Sequence, residues 1–262
     1  MNGRLPLSDS IHLHGKRGLV LGVANEHSIA WGCLRRLHAM GAEVVATCLN
    51  DKARQHVQPL TDALHVQLLN CDVMHDGELS DVVAHCVQTW GRLDFVVHSI
   101  AWAPLADLHG PVARSSRQGF SQAMDVSAHS FARIAGLCAP FMHNGGSLLA
   151  MSYLGADEAV AHYGMMGPVK AALEALVRYM SLELGPLGIR VHAISPGPVP
   201  TRAASGIEDF DELMASAIRK APLGRLVTLD EIGALCAFLC SDASTGMTGQ
   251  TIFVDGGCHA VS

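Results

Sequence analysis

A chain of 262 residues is long enough to bury a full hydrophobic core without disulfide or metal support. Its 18 Lys and Arg against 24 Asp and Glu leave a formal charge of −6, and no basic run exceeds a pair such as Arg35-Arg36 or Arg219-Lys220, which argues against nucleic acid and membranes as partners. With 49% hydrophobic and 16% charged residues, the composition excludes a disordered chain.

The longest uncharged stretch, Ile134 to Ala156, is cut by His143-Asn144-Gly145-Gly146 into two pieces, each too short to cross a bilayer. The first residues, with Asp9 ahead of Lys16 and Arg17, lack the basic flank and apolar run of a secretory signal, so a cytoplasmic protein is expected. Cysteines 33, 48, 71, 86, 138, 236, 240 and 258 fall within apolar runs and form no C-x-x-C pair, which points to small buried hydrophobes. The 15 histidines are scattered, and neither His12/His14 nor His98 has a second ligand at helical or hairpin spacing, so no metal site is expected.

Apolar, β-branched runs alternate with helical patterns along the chain. In order, strands are predicted at Arg17–Gly22, Glu43–Thr47, Val66–Cys71 and Phe95–Ser99, followed in turn by helices at Ile29–Met40, Asp51–Ala63, Gly77–Trp90 and Phe120–Phe141. A fifth strand at Gly146–Ser152 leads to a long helix over His162–Leu184, then come a strand at Arg190–Ser195, a helix at Asp230–Cys240 and a last strand near Thr251–Val254. Seven nearly all-apolar strands imply one parallel sheet covered by helices on both faces, a doubly wound α/β fold. No linker, repeat or low-complexity tract divides it, so residues 1–262 read as a single domain. Gly197 to Pro222 lacks a firm element, although Asp211–Lys220 has helix propensity; a segment of that length in a compact domain reads as a lid.

The first strand ends in Gly22-Val-Ala-Asn25-Glu-His-Ser28-Ile29-Ala-Trp-Gly32, a glycine turn that opens a helix. Such a turn lets the backbone approach a ligand, and the free N–H groups of the helix start suit a pyrophosphate. Gly22 and Gly32 are too far apart for G-x-G-x-x-G, and any strand-to-helix turn favours glycine, so this spacing alone does not establish a nucleotide site. Cys71-Asp72-Val73 and His98-Ser99-Ile100-Ala101 end the third and fourth strands, at the edge where an open α/β sheet takes its ligand. For Asp72 a second reading stands equal, a cap on the helix that follows.

The sharpest feature is Tyr163-Gly-Met-Met-Gly-Pro-Val-Lys170. On a helix starting near His162, Tyr163 and Lys170 lie almost two turns apart on one face, and a nearby ammonium favours a more acidic phenol. Pro168 is tolerated only in the first turns of a helix, which places Tyr163 near its start and at the ligand edge. An amphipathic helix that happens to carry both residues is the plain alternative. Met151-Ser152-Tyr153-Leu154-Gly155-Ala156, at the end of the fifth strand, brings a second phenol to the same edge.

With Tyr-x6-Lys, the strand-end Asp72 and Thr248-Gly249-Gln250-Thr-Ile-Phe-Val254-Asp255-Gly256-Gly257, the chain resembles the short-chain dehydrogenase/reductase superfamily over essentially its whole length. Within it, the closer resemblance is to the FabI-type enoyl-acyl-carrier-protein reductases. The matching features are Gly22-x5-Ser28-Ile29-Ala30-x-Gly32, His98-Ser99-Ile100-Ala101, Ser152–Ala156, and Tyr163, Met166, Gly167 and Lys170. Arg178-Tyr179-Met180, Ala203-Ala204-Ser205-Gly206-Ile207 and Phe238-Leu239-Cys240-Ser241-Asp242 match as well. Ketone and alcohol enzymes of the superfamily usually carry a catalytic Ser thirteen residues before the Tyr, where this chain has Ala150. Departures from the FabI pattern are Leu49 where a Gln is common, Pro196 in the S-A-G-P turn, and Pro200 and Arg202 after it.

The resemblance implies a Rossmann-type domain that reduces the trans-2 double bond of an enoyl thioester, on acyl carrier protein or coenzyme A, with a nicotinamide cofactor. It implies Tyr163, Lys170 and Tyr153 as catalytic residues, and Gly22, Ser28, Ile29, Leu49, Asp72, Val73, Ser99, Ile100, Lys170, Val199 and Thr201 as cofactor-binding ones. Ala103, Tyr153, Met166, Ala203 and Ile207 would line the substrate, with Phe210, Leu213 and Met214 of the lid. Leu49-Asn50-Asp51 offers no Arg to pair a ribose phosphate and Asp51 would repel one, which predicts NADH over NADPH; Lys52 and Arg54 leave NADPH open. The family assembles as tetramers, and the apolar faces of His162–Leu184 and Ile232–Cys240 fit a homotetramer. A carbonyl reductase of the superfamily, or a Rossmann scaffold that binds nucleotide without turnover, are the alternative functions.

Overall fold

The computed structural model describes residues 11–201 and 209–261. Seven strands form one all-parallel sheet: β1 (Arg17–Leu21), β2 (Glu43–Cys48), β3 (Gln67–Asn70), β4 (Phe95–His98), β5 (Gly146–Met151), β6 (Ile189–Pro196) and β7 (Gln250–Val254). Their spatial order, β3-β2-β1-β4-β5-β6-β7, reverses direction between β1 and β4. At that reversal the connections leave to opposite faces and open a crevice at the carboxyl ends of the strands.

The central strands β4, β5 and β6 are buried on both sides, which is why they read as continuous apolar runs and not as alternation. One face packs on α1 (Ile29–Ala39), α2 (Asp51–Asp62) and α9 (Leu229–Cys240) through Cys33, Leu34, Leu37, Val57, Ile232 and Leu239. The opposite face packs on α3 (Glu78–Trp90), α5 (Arg117–Met124), α6 (Ser130–Cys138) and α7 (Met166–Leu184) through Val82, Ala123, Phe131, Ile134, Val169 and Leu173. Short α4 (Leu105–Leu108) lies beyond β4, and α8 (Phe210–Lys220) lies before α9. All eight cysteines are free and buried, as their apolar settings predict. Among the described residues no helix is long and apolar enough to cross a membrane.

Three expectations need correction. The helix predicted over Phe120–Phe141 is two helices joined by a π turn at Asp125–His129, where Ser130 Oγ donates back to the Val126 carbonyl at 2.7 Å. The long helix begins at Met166, because His162 (φ 62°) and Gly164 (φ 53°) take left-handed conformations that no helix can contain. The segment from Gly197 does hold a helix, α8, which carries no fully buried residue.

Close approach of α1 and α9 depends on two glycines. A Cβ on Gly233 would fall 2.6 Å from the Gly32 carbonyl oxygen, and one on Gly32 would fall 2.8 Å from Leu229. Gly233→Ala is therefore expected to destabilise the fold by about 1–3 kcal/mol despite Ala's better helix propensity, read as a lower urea midpoint at unchanged m-value.

Candidate active site

At the carboxyl edge of β5 the chain leaves the sheet through Ser152 and Tyr153 and turns at Leu154–Ala156. The Ser152 N–H donates to the Ile194 carbonyl at 2.7 Å, so the exit is still tied to β6. From there a short loop returns to Tyr163, which precedes α7; its carbonyl accepts from Met166 N–H at 3.2 Å. The rings of Tyr153 and Tyr163 meet with centroids 4.7 Å apart at 57°. Gly155 makes this possible, since a Cβ there would lie 2.3 Å from Tyr163 Cδ1.

Lys170, one turn into α7, is buried and donates from Nζ to the Met151 carbonyl at 2.6 Å. Burial pushes the ammonium down to about 8, against the opposing pull of Glu174. Tyr153 is pushed up to about 12 by burial, and Tyr163 is raised by burial and then by Tyr153 and Glu174. The expected acidification of Tyr163 by the ammonium is therefore not what the site produces. Desolvation governs instead, and Tyr163 stands protonated across the physiological range.

Behind this pair, His98 pairs in register with Ala150 and its Nε2 lies 2.7 Å from Ser130 Oγ. Ser130 spends its own proton on the Val126 carbonyl, so His98 Nε2 is the donor and Nδ1 carries the lone pair. Burial lowers His98 to about 3, so it is neutral. Ala150 is fully buried within the same apolar cluster as Tyr163, and no hydroxyl stands at that position.

The predicted cofactor residues gather at the same edge, around the β1/β4 reversal. Gly22 has φ 90°, and a Cβ there would sit 2.4 Å from the Ser99 carbonyl oxygen and 3.0 Å from Ile100. Gly22 therefore lets the end of β1 lie directly against the backbone that leaves β4, at the crevice where an open α/β sheet takes its ligand. Ser28 caps α1, accepting from Trp31 N–H, and Ile29 is the first helical residue. Asp72 does not cap α3, whose N-cap is Gly77; its Oδ1 accepts from Met74 N–H at 3.0 Å in a local turn. Val73 beside it is buried, with its carbonyl held by Arg133 at 2.9 Å. Leu49 is half exposed at the end of β2. Arg54 is engaged by Asn70 at 3.1 Å, Gln58 at 2.9 Å and the Leu68 carbonyl at 3.1 Å, on the β3 side. Val199 is buried, and Thr201 N–H returns to its carbonyl at 2.7 Å.

A family model described as enoyl-(acyl carrier protein) reductase matches residues 22–259. The chain belongs to the enoyl-acyl-carrier-protein reductase family. It is 42% identical over 250 residues to the NADH enoyl-acyl-carrier-protein reductase 1 of Rhizobium meliloti, covering 95% of this chain and 92% of that one. To the NADH reductase FabI of Escherichia coli it is 43% identical over 247 residues, 94% of each chain. Its fold is similar to that of the Anaplasma phagocytophilum reductase in complex with NAD, at TM-score 0.92 and 42% identity over 95% of this chain and 96% of that one. The Bacillus cereus reductase with NADP+ and an indole naphthyridinone gives TM-score 0.93 and 40% identity, covering 95% and 98%.

Of the residues expected to line a reductase substrate, Ala103 and Met166 share one buried apolar cluster with the catalytic candidate Tyr163, and Tyr153 packs against it. Ala203 and Ile207 lie outside the described residues. Sequence reasoning missed Gly155 and Glu174 as parts of the candidate site. Gly155 sits inside the quoted Ser152–Ala156 run, and Glu174 follows Lys170 at the i,i+4 spacing that brings side chains together, so both had a legible signal. Gly155→Ala is expected to push Tyr163 aside and lower kcat by about 10²-fold with cofactor affinity retained, checked by steady-state kinetics and cofactor titration.

Proposed function

We propose that this protein is an NADH-dependent enoyl-thioester reductase acting on trans-2-enoyl groups carried by acyl carrier protein. The observation that carries the reading is the pair of phenols, Tyr153 against Tyr163, above an Ala150 that has no hydroxyl to grip a ketone. When bound, the dihydronicotinamide supplies the hydride that adds to the substrate's β-carbon. Negative charge then grows on the thioester oxygen, and Tyr163, kept protonated by its buried setting, donates the hydrogen bond that stabilises the enolate. Lys170 holds the cofactor ribose and contributes positive potential, while Tyr153 shapes the pocket beside the thioester and steers protonation at the α-carbon. Gly22, Ser28, Ile29, Ser99, Ile100, Leu49, Asp72, Val73, Val199 and Thr201 would hold the cofactor along the carboxyl edge of the sheet. Preference for NADH is supported by Asp51 after β2 and by Arg54, which is already committed to Asn70, Gln58 and Leu68.

The segment 197–222, of which residues 202–208 lie outside the described ones, serves as the lid over cofactor and acyl chain. Its helix α8 is tethered beside Tyr163 by His162–Asp209 at 3.6 Å and Glu158–Lys220 at 3.7 Å, and its Phe210, Leu213 and Met214 form a half-buried apolar stripe. The enzyme works in the cytoplasm, a reading supported by its eight free thiols. It assembles as a homotetramer: Tyr179, Leu182 and Leu187 are 69%, 77% and 58% exposed along and beyond α7, and β7 is an open sheet edge. Light scattering at micromolar concentration is expected to report four subunits, and a stable monomer overturns this.

The deciding assay follows NADH and NADPH oxidation with crotonyl and longer enoyl thioesters beside the matching 3-oxoacyl thioesters. Enoyl substrates with NADH are expected to turn over; activity confined to the 3-oxo compounds identifies a carbonyl reductase instead. Tyr163→Phe should lower kcat by about 10²-fold with fold intact, whereas Lys170→Ala should chiefly weaken NADH, by about tenfold or more in Kd. Wild-type turnover by the Tyr163→Phe variant would mean that another group holds the oxygen.

A further inference from the structure

Two successive residues of the β5 exit are bound to two successive turns of α7. Lys170 Nζ donates to the Met151 carbonyl at 2.6 Å, and Glu174 Oε1 accepts from Ser152 Oγ at 2.5 Å. Tyr153, the next residue, turns onto Tyr163. Lys170 and Glu174 stand at i,i+4 on α7, on the same side of the helix.

We propose that Glu174 is a positioning residue: anchored on the Ser152 hydroxyl, its carboxylate keeps Lys170 an ammonium, the protonation state that cofactor binding and enolate stabilisation use. The inference rests on the enoyl-reductase reading of this site and adds to it a residue that makes no contact with the reacting atoms. A negative charge at this point favours the cation. Glu174 is the charged group that opposes the burial of Lys170, and it also acts to raise Tyr163. The other titratable groups facing Lys170 do not substitute for it. His98 of β4 is neutral, and Tyr153 and Tyr163 are both pushed up by burial and stay protonated.

The ordering of charge states has a readable consequence. With Lys170 near 8, cofactor affinity and kcat/KM should fall as pH rises through that value, because the ammonium is lost. Removing the Glu174 charge lowers the ammonium further, so the fall moves to lower pH. In Glu174→Gln the midpoint of this alkaline limb is expected about one pH unit below wild type, in NADH binding by fluorescence titration without substrate and in kcat/KM alike. Glu174→Asp should restore most of the shift. Ser152→Ala, which frees the carboxylate without removing it, should shift the limb in the same direction by less, and it serves as the test if Glu174→Gln does not fold.

A midpoint that stays at the wild-type value in these variants, or a loss uniform across pH, overturns the assignment and leaves Glu174 a structural residue. The NADH titration needs no enoyl substrate. A protein inactive on every enoyl thioester would therefore sink the functional reading while the pH shift in NADH binding still answers for Glu174.

Discussion

A lysine with 4% of its surface exposed is the constraint around which this site is arranged. Taking an ammonium out of water costs several kcal/mol, and the cost is met only where acceptors and opposite charge are already in place. Here they are the Met151 carbonyl, freed at the end of β5, and the Glu174 carboxylate one turn further along α7. That geometry requires α7 to start at the carboxyl edge of the sheet, and it requires the chain between β5 and α7 to return quickly. Left-handed His162 and Gly164 achieve the return and leave Tyr163 ahead of the helix, against Tyr153.

The same burial sets the chemistry. Two phenols packed in an apolar layer cannot ionise cheaply, so both keep their protons and are available as donors. An enolate oxygen needs such a donor, whereas reduction of a ketone in the related enzymes also calls on a hydroxyl from the strand below. Ala150 in that place, and Gly155 letting Tyr153 and Tyr163 meet, distinguish this pocket from the general pattern of the superfamily.

Position in the sheet explains why cofactor and substrate residues from distant parts of the chain converge. The reversal between β1 and β4 opens the crevice, and Gly22 sits at its floor against the Ser99 carbonyl. Residues of β3, β4, β5 and β6 then reach one edge because every strand runs the same way. Parallel strands need crossover helices, and those helices bury the faces that give the sheet its rigidity.

Much of this was legible in the residues alone. Continuous apolar runs separated by helical periodicity determine a two-sided parallel sheet, because each strand must be covered on both faces, and Tyr163, Lys170, Tyr153 and Ala150 are local patterns with a chemical meaning. Helix boundaries near the site were not legible: the left-handed turn at His162 and the π turn at Asp125–His129 are held by contacts from elsewhere in the fold, among them Ser127 Oγ bonded to the Trp102 backbone. Nor could protonation be read from spacing. The sequence places an ammonium near a phenol and suggests acidification, but how far water is excluded, and that Glu174 and not Lys170 is the charge that acts on Tyr163, depend on which side chains the tertiary packing brings within reach.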